Sequence, residues 1–498
     1  MQGKRNNKKA APKRPQQRQV NGSKQGSSMK RSSHSSPKKA KRRAPQAAPK
    51  KAQRRAPQSA PKKAQRRAPQ TAPKRAPANT QRRPVQEPVR ENSTTKPLIP
   101  RGFWGEGGID VPFLIIVLAL LTIGLIMLFS SSYTYCYYNY GDSLYYFKKQ
   151  LVFVILGLIA MFVVSKINFG VFKKAAVPLL IISSFLLVVV LVLPPPPGLE
   201  DFHRWISIPG LITFQPSEIS KLAIILFFAW HIDRNYLGIN NDELSTAAFA
   251  QGYNQGNSLI KIKTRHVCLA LYMLILGITC LLVYMENHVS GAVLIMALGV
   301  MMLWLAGFNY KAFLVLAIVG VSVILLVVAN PSILPEHASP RIIAWLDKNY
   351  DPQGVRWQTN NALYAIGSGG FFGVGLGNSK QKQLYVSEPQ NDFIFSIVCE
   401  ELGFVGALII IALFALLVFR GFKIGLKCRD RFGTLLAMGL VFQVGLQAAL
   451  NIGVVTDVLP NTGISLPFFS YGGTSIMMLL FQMGMVLSIS RYSRVKKA

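Results

Sequence analysis

PFLIIVLALLTIGLIMLFS, residues 112–130, runs without a single charge. As a helix it extends about 28 Å, the thickness of a bilayer's hydrocarbon core. In lipid only a helix or a closed barrel satisfies every backbone polar group, and the run shows none of the alternation a barrel strand needs. Nine further apolar runs follow at 147–165, 175–193, 217–232, 267–285, 289–306, 312–329, 393–419, 432–452 and 472–490. The fourth is short and holds Glu218 and Lys221. The fifth and sixth are separated only by Met285–His288, a tight turn. The expected fold class is therefore an all-α polytopic membrane protein, with ten transmembrane helices over 111–490.

The rest of the chain is a different material. The 498 residues carry 56 Lys+Arg against 21 Asp+Glu, yet half are hydrophobic. Residues 1–101 hold 30 of the basic residues and two acids, Glu87 and Glu91. This segment has almost no aliphatic or aromatic side chains, so it cannot offset its ordering entropy and is expected to be disordered. Within it a twelve-residue repeat runs RRAPQAAPKKAQ (42–53), RRAPQSAPKKAQ (54–65) and RRAPQTAPKRAP (66–77). Its expected partners are anionic lipid headgroups. With no aromatic residue to stack on a base, specific nucleic-acid recognition is not expected. A soluble globular enzyme, a secreted disulfide scaffold and a collagen-like fibre are excluded. The five cysteines are scattered and form no CxxC pair.

Basic residues set the orientation. Lys166, Lys173 and Lys174, then Arg234, Lys261, Lys263 and Arg265, then Lys311, then Arg420 to Arg431, and finally Arg491 to Lys497 fall on one side. That side is cytoplasmic by the positive-inside rule, and both termini join it. The stretches 194–216, 330–392 and 453–471 then lie outside. Residues 330–392 form the largest outside loop.

Ionisable residues near the spans are the candidates for chemistry. Glu218 and Lys221 share a helix face and can pair, either as part of a site or as a lock between helices. Asp392 stands where the long outside loop meets the eighth span. Partial desolvation there would suit a general base, and an N-cap role is the bland alternative. Glu400 and Glu401, deeper in the same span, read as helix–helix hydrogen bonders. The glycine-dense GSGGFFGVGLGNSKQK (367–382) matches no P-loop and reads as tight turns, with a phosphate-facing nest near Lys380 and Lys382 the alternative. His203, Arg204 and Trp205 lie in the first large outside loop. An Arg beside a Trp there would clamp a lipid phosphate or anchor the interface.

Four blocks together resemble the SEDS family (shape, elongation, division and sporulation): RWISIPGLITFQPSEISKLAIILF (204–227), AIGSGGFFGVGLGNSKQK (365–382), EPQNDFIFSIVCEELGFVG (388–406) and NIGVVTDVLPNTGISLPFFSYGGTS (451–475). PRIIAWLD…DPQGVRWQ (340–358) looks more like the FtsW-like, cell-division branch than the RodA branch, and a sporulation paralogue stays open. Two features depart from the family pattern. The fifth-to-sixth turn reads MENHVSG instead of an acidic DFGT-like run, and the repeat tail has no counterpart.

The resemblance implies a peptidoglycan glycosyltransferase that polymerises lipid II into β-1,4 glycan at the outer face of the bacterial plasma membrane, at the division septum. It implies a class B penicillin-binding protein as transpeptidase partner, among other divisome membrane proteins. Asp392 matches the family's essential carboxylate, and Glu218 and Lys221 match its buried ion pair. Arg204, Trp205, Arg341, Lys382, Ser470 and Tyr471 complete the expected substrate-binding set. Arg204, Arg341, Lys382 or a divalent cation (Mg or Mn) would stabilise the leaving diphosphate. A lipid II flippase and a non-catalytic scaffold are the competing readings. The first needs a polar path through mid-membrane; the second needs no base at Asp392.

Overall fold

A computed structural model describes residues 108–194, 204–208, 212–240, 264–308, 310–334 and 338–493. The basic tail, His203 and the segment 241–263 lie outside the described residues. Every one of the ten apolar runs falls on a helix. They are α1 (Val111–Tyr140), α2 (Tyr145–Lys166), α3 (Phe172–Val192), α4 (Pro216–Asn240), α5 (Thr264–Met285), α6 (Val289–Leu305), α7 (Tyr310–Ala329), α10 (Ile394–Lys427), α11 (Arg431–Val455) and α12 (Gly473–Ser490). Seven of these (α1, α2, α3, α5, α10, α11 and α12) are long and apolar enough to cross a membrane. The helix α6 and the apolar stretch Phe313–Ala329 of α7 are shorter, and α4 carries Glu218, Lys221, Asp233 and Arg234.

The stretch 330–392 is more ordered than a loop. It holds α8 (Ser339–Leu346) and α9 (Trp357–Gly369). The all-α expectation needs one amendment. An antiparallel hairpin, β1 (Ile206–Ile208) with β2 (Ile212–Phe214), pairs Ser207 with Thr213.

Local chemistry sets the helix ends. Asp110 caps α1, its Oδ1 accepting from the Phe113 N–H at 3.0 Å, and Gly141 closes the helix in the left-handed region. Asp430 caps α11 through the Gly433 N–H. Burial then sorts the helices. The apolar windows of α11 and α12 are 67% and 61% buried, against 22% for α3, so α11 and α12 form the centre. The peripheral helices turn Ile181, Phe185, Ile318, Leu325, Leu408 and Phe419 outward. So much exposed aliphatic surface suits hydrocarbon and not water. Small residues let helices close: a Cβ at Gly157 of α2 would stand 2.7 Å from Leu480 of α12, and one at Gly484 would stand 2.6 Å from the Met161 carbonyl.

The helix α10 is broken at Gly403 (φ 68°). The glycine loop after α9 fills the break. Val374 and Gly375 donate their N–H groups to the carbonyls of Glu400 and Glu401, while Phe404 and Val405 donate to Gly370 and Phe371. A Cβ at Gly403 or Gly373 would collide with the other's backbone, so close approach requires both glycines.

Candidate active site

The loop that ends at Asp392 is held from three sides. Asn451, fully buried on α11, donates through Nδ2 to the Asp392 carbonyl at 2.7 Å and to the Ile464 carbonyl at 2.6 Å. Ser470 donates to the Asn391 carbonyl at 2.8 Å and accepts from the Leu466 N–H. The Tyr471 N–H donates to the Gln390 carbonyl. So the backbone around Asp392 is fixed by α11 and by the loop that leads into α12.

The Asp392 side chain is free of that scaffold. Phe393, not Asp392, occupies the cap position of α10, and no side chain caps the helix there. Among the described residues no hydrogen bond reaches the Asp392 carboxylate. It projects instead into a cavity of about 780 Å³. Gly463 (φ 68°) backs it, and a Cβ there would stand 3.2 Å from Oδ2.

Separate parts of the chain build this cavity: the start of α2, the β1–β2 hairpin, the start of α4, the α5–α6 turn and the loops around 390 and 463–475. Arg204, Trp205, Glu218, Lys221 and Tyr471 line it together with Asp392. Burial pushes the Asp392 carboxyl up to about 6; Arg204 and Arg341 pull it down, and Glu388 adds to the rise. Burial in turn lowers the Arg204 guanidinium to about 10, with Arg341 contributing, and lowers that of Arg341. One carboxylate and two partly desolvated guanidiniums therefore share one field.

The Glu218–Lys221 pair forms at 2.8 Å, and Lys221 also donates to Gln447 Oε1 on α11 at 3.0 Å. Gln447 donates onward to Ser465. The pair is thus at once a cavity wall and a lock between α4, α11 and the 463–466 loop.

Three expectations need correction. Lys382 does not face the cavity. It is buried, and its ammonium donates to Glu401 at 2.7 Å, Ser130 at 3.0 Å and the Gly377 carbonyl at 2.7 Å, which commits all three protons. The nest near Lys380 holds a carboxylate of the same chain: the N–H groups of Lys380 and Gln381 and the Ser379 hydroxyl all point at Glu400. Glu400 and Glu401 join α10 to this loop, and Glu401 bonds across to Ser130 of α1. Ser470 supports the Asp392 loop and is absent from the cavity wall, and Arg341 acts on Asp392 through its field from α8. As for the divalent cation, among the described residues no three His, Cys, Asp or Glu side chains come together to hold one.

Sequence reasoning missed His288. It lines the cavity from the MENHVSG turn, its Nδ1 3.2 Å from Gln215 Nε2. Burial holds its pKa well below the usual histidine range, so it is neutral. Glu286, in the same turn, is fully buried, and burial raises its carboxyl to about 8. An Arg204 N–H donates to the Asn287 carbonyl, tying this turn to the hairpin. The one available signal was polar residues crowded into a turn between two apolar spans.

Residues 112–495 match the family model described as cell cycle protein, FtsW/RodA/SpoVE. The chain belongs to this family. It is 36% identical over 386 residues to the stage V sporulation protein E of Bacillus subtilis, covering 77% of this chain and 98% of that one. It is 35% identical over 381 residues to a probable peptidoglycan glycosyltransferase FtsW of Trichlorobacter lovleyi, covering 76% and 93%. The SEDS fold also matches solved structures. One comes from a study of how a peptidoglycan synthase complex coordinates polymerization and crosslinking (TM-score 0.59, 24% identity, 77% of this chain and 98% of that one). Another is the rod shape determining protein RodA of Thermus thermophilus (TM-score 0.52, 23% identity, 78% and 98%). As a SEDS protein with several apolar helices, the chain is membrane-embedded.

Proposed function

We propose that this SEDS protein is a peptidoglycan glycosyltransferase that joins lipid II units into β-1,4 glycan, with Asp392 as general base. The observation that carries the reading is the Asp392 carboxylate, unbonded and open to a large cavity that Arg204 also lines. An acceptor sugar hydroxyl loses its proton to Asp392 as it attacks the anomeric carbon of the donor. One carboxylate suffices for inversion, which converts an α-linked donor into a β-linked product. The bond to the polyprenyl diphosphate breaks, and that leaving group needs no acid. Its charge is balanced by Arg204 on the cavity wall and by the field of Arg341 from α8, in a site where fixed charges act strongly. Trp205 and Tyr471 line the same cavity and supply aromatic surface for the sugars. A divalent cation, if bound, would draw ligands from the substrate diphosphate, and no step here depends on one.

The ten helices are read as ten spans with both termini cytoplasmic, which puts the cavity at the outer face. A class B penicillin-binding protein is the proposed transpeptidase partner, at the division septum or at the forespore. Purified protein given fluorescent lipid II should yield a glycan ladder that lysozyme digests. Lipid II moved across vesicles without any ladder would instead identify a flippase, and neither outcome would identify a scaffold.

A further inference from the structure

The outer ends of α1 and α2 gather aromatic rings to an unusual degree. Seven of the chain's 17 tyrosines fall within residues 133–146. Tyr140 stacks on Tyr145 with ring centroids 4.2 Å apart. Tyr146 lies 4.3 Å from Tyr471 and 3.0 Å, hydroxyl to hydroxyl, from Tyr140. The cluster is continuous with the catalytic cavity: Tyr146, Lys149 and Tyr471 line it, and Tyr135 donates to Glu388 on the cavity rim. From there the rings run outward through Tyr145 to Tyr140, which is 47% exposed.

From this continuity we infer that the tyrosine cluster is a saccharide-binding shelf that receives the growing glycan strand as it leaves the cavity. The inference rests on the glycosyltransferase reading. Pyranose rings present faces of polarised C–H bonds that suit the negative face of an aromatic ring, and their hydroxyls suit phenol and carboxylate edges. The shelf offers both, beginning at the wall that holds Asp392. A membrane-interface belt spreads its aromatic residues over both ends of a bundle. Here seven gather at one helical hairpin, and four of them, Tyr135, Tyr140, Tyr145 and Tyr146, pack together against the site. A strand held on the shelf stays bound between additions, so the shelf sets how many units are added before release.

The test compares the full-length Tyr140→Leu/Tyr145→Leu variant with Tyr140→Phe/Tyr145→Phe, reading lipid II consumption and glycan length separately. Leucine keeps the lipid affinity and removes the ring; phenylalanine keeps the ring. The shelf predicts products shortened severalfold in the leucine variant, a smaller loss in consumption rate, and wild-type lengths in the phenylalanine variant. Unchanged lengths in the leucine variant would reduce the cluster to an interface belt and overturn the inference. Should the leucine variant fail to fold, saturation-transfer NMR on wild type with lipid-free, peptide-free glycan fragments decides: transfer to the sugar protons supports the shelf, and its absence overturns it. A wild type that consumes no lipid II would instead refute the glycosyltransferase reading, with fragment binding still deciding the shelf.

Discussion

Opposing influences meet at Asp392. Burial favours its protonated form, while Arg204 and Arg341 favour the charged one, and the balance lies at about 6. The ionised form is the base, so the polymerisation rate should rise with pH through about 6 and level off above 7. A rate that is flat from pH 5 to 8, or that falls across it, would contradict this. Linkage fixes the sign for stability. Because the folded pKa stands above the ordinary carboxylate value, the fold binds more protons than the unfolded chain between about 4 and 6. This group's contribution is therefore lost as pH rises through that window. Asp392→Asn should consequently unfold no earlier than wild type at pH 7 in a detergent melt. Gly463→Ala tests the close approach: the left-handed backbone alone costs about 1–2 kcal/mol, and the added methyl presses on the Asp392 carboxylate. Its activity should fall more than its stability does. The placement of Asp392 at a cavity was legible in the sequence, because an acid at the end of an apolar run is costly unless it faces water. Lys382 was misread because its partner Glu401, 19 residues on, meets it only once α10 and the glycine loop have folded together.

Among the elements, the broken helix α10 shows what a sequence pattern carries and what it does not. Glycines at 369–377 announced tight turns and close approach, and both are present. That the loop would patch the broken helix, and that its amides would receive Glu400, depends on packing between elements, which no local pattern encodes. Gly403→Ala should be strongly destabilising, because the methyl meets the Gly373 backbone as well as adopting a left-handed conformation. Lys382→Met leaves Glu401 buried without its cation and should cost about 3–5 kcal/mol. A cavity ligand would behave differently, losing substrate affinity while keeping its melting temperature.

At the scale of the molecule, the solvent decides what is legible. A bilayer demands runs of about 20 apolar residues, so each of the seven helices long and apolar enough to cross one left its mark in the sequence. The cavity did not, because it is assembled from parts of the chain far apart in sequence, and His288 enters it from a turn that looked like a mere connection. The basic tail belongs to a different material. Deleting residues 1–97 should leave polymerisation in detergent within about twofold of wild type, since a segment so poor in apolar residues contributes to no packed core. The central claim is that a single carboxylate accepts the proton of the attacking hydroxyl. It is tested most directly by comparing initial rates of glycan formation from lipid II for wild type and Asp392→Asn, with lipid II binding measured on the same preparations. The account predicts a loss of about 10²-fold or more in rate with binding retained. Undiminished glycan formation by the asparagine variant would contradict it.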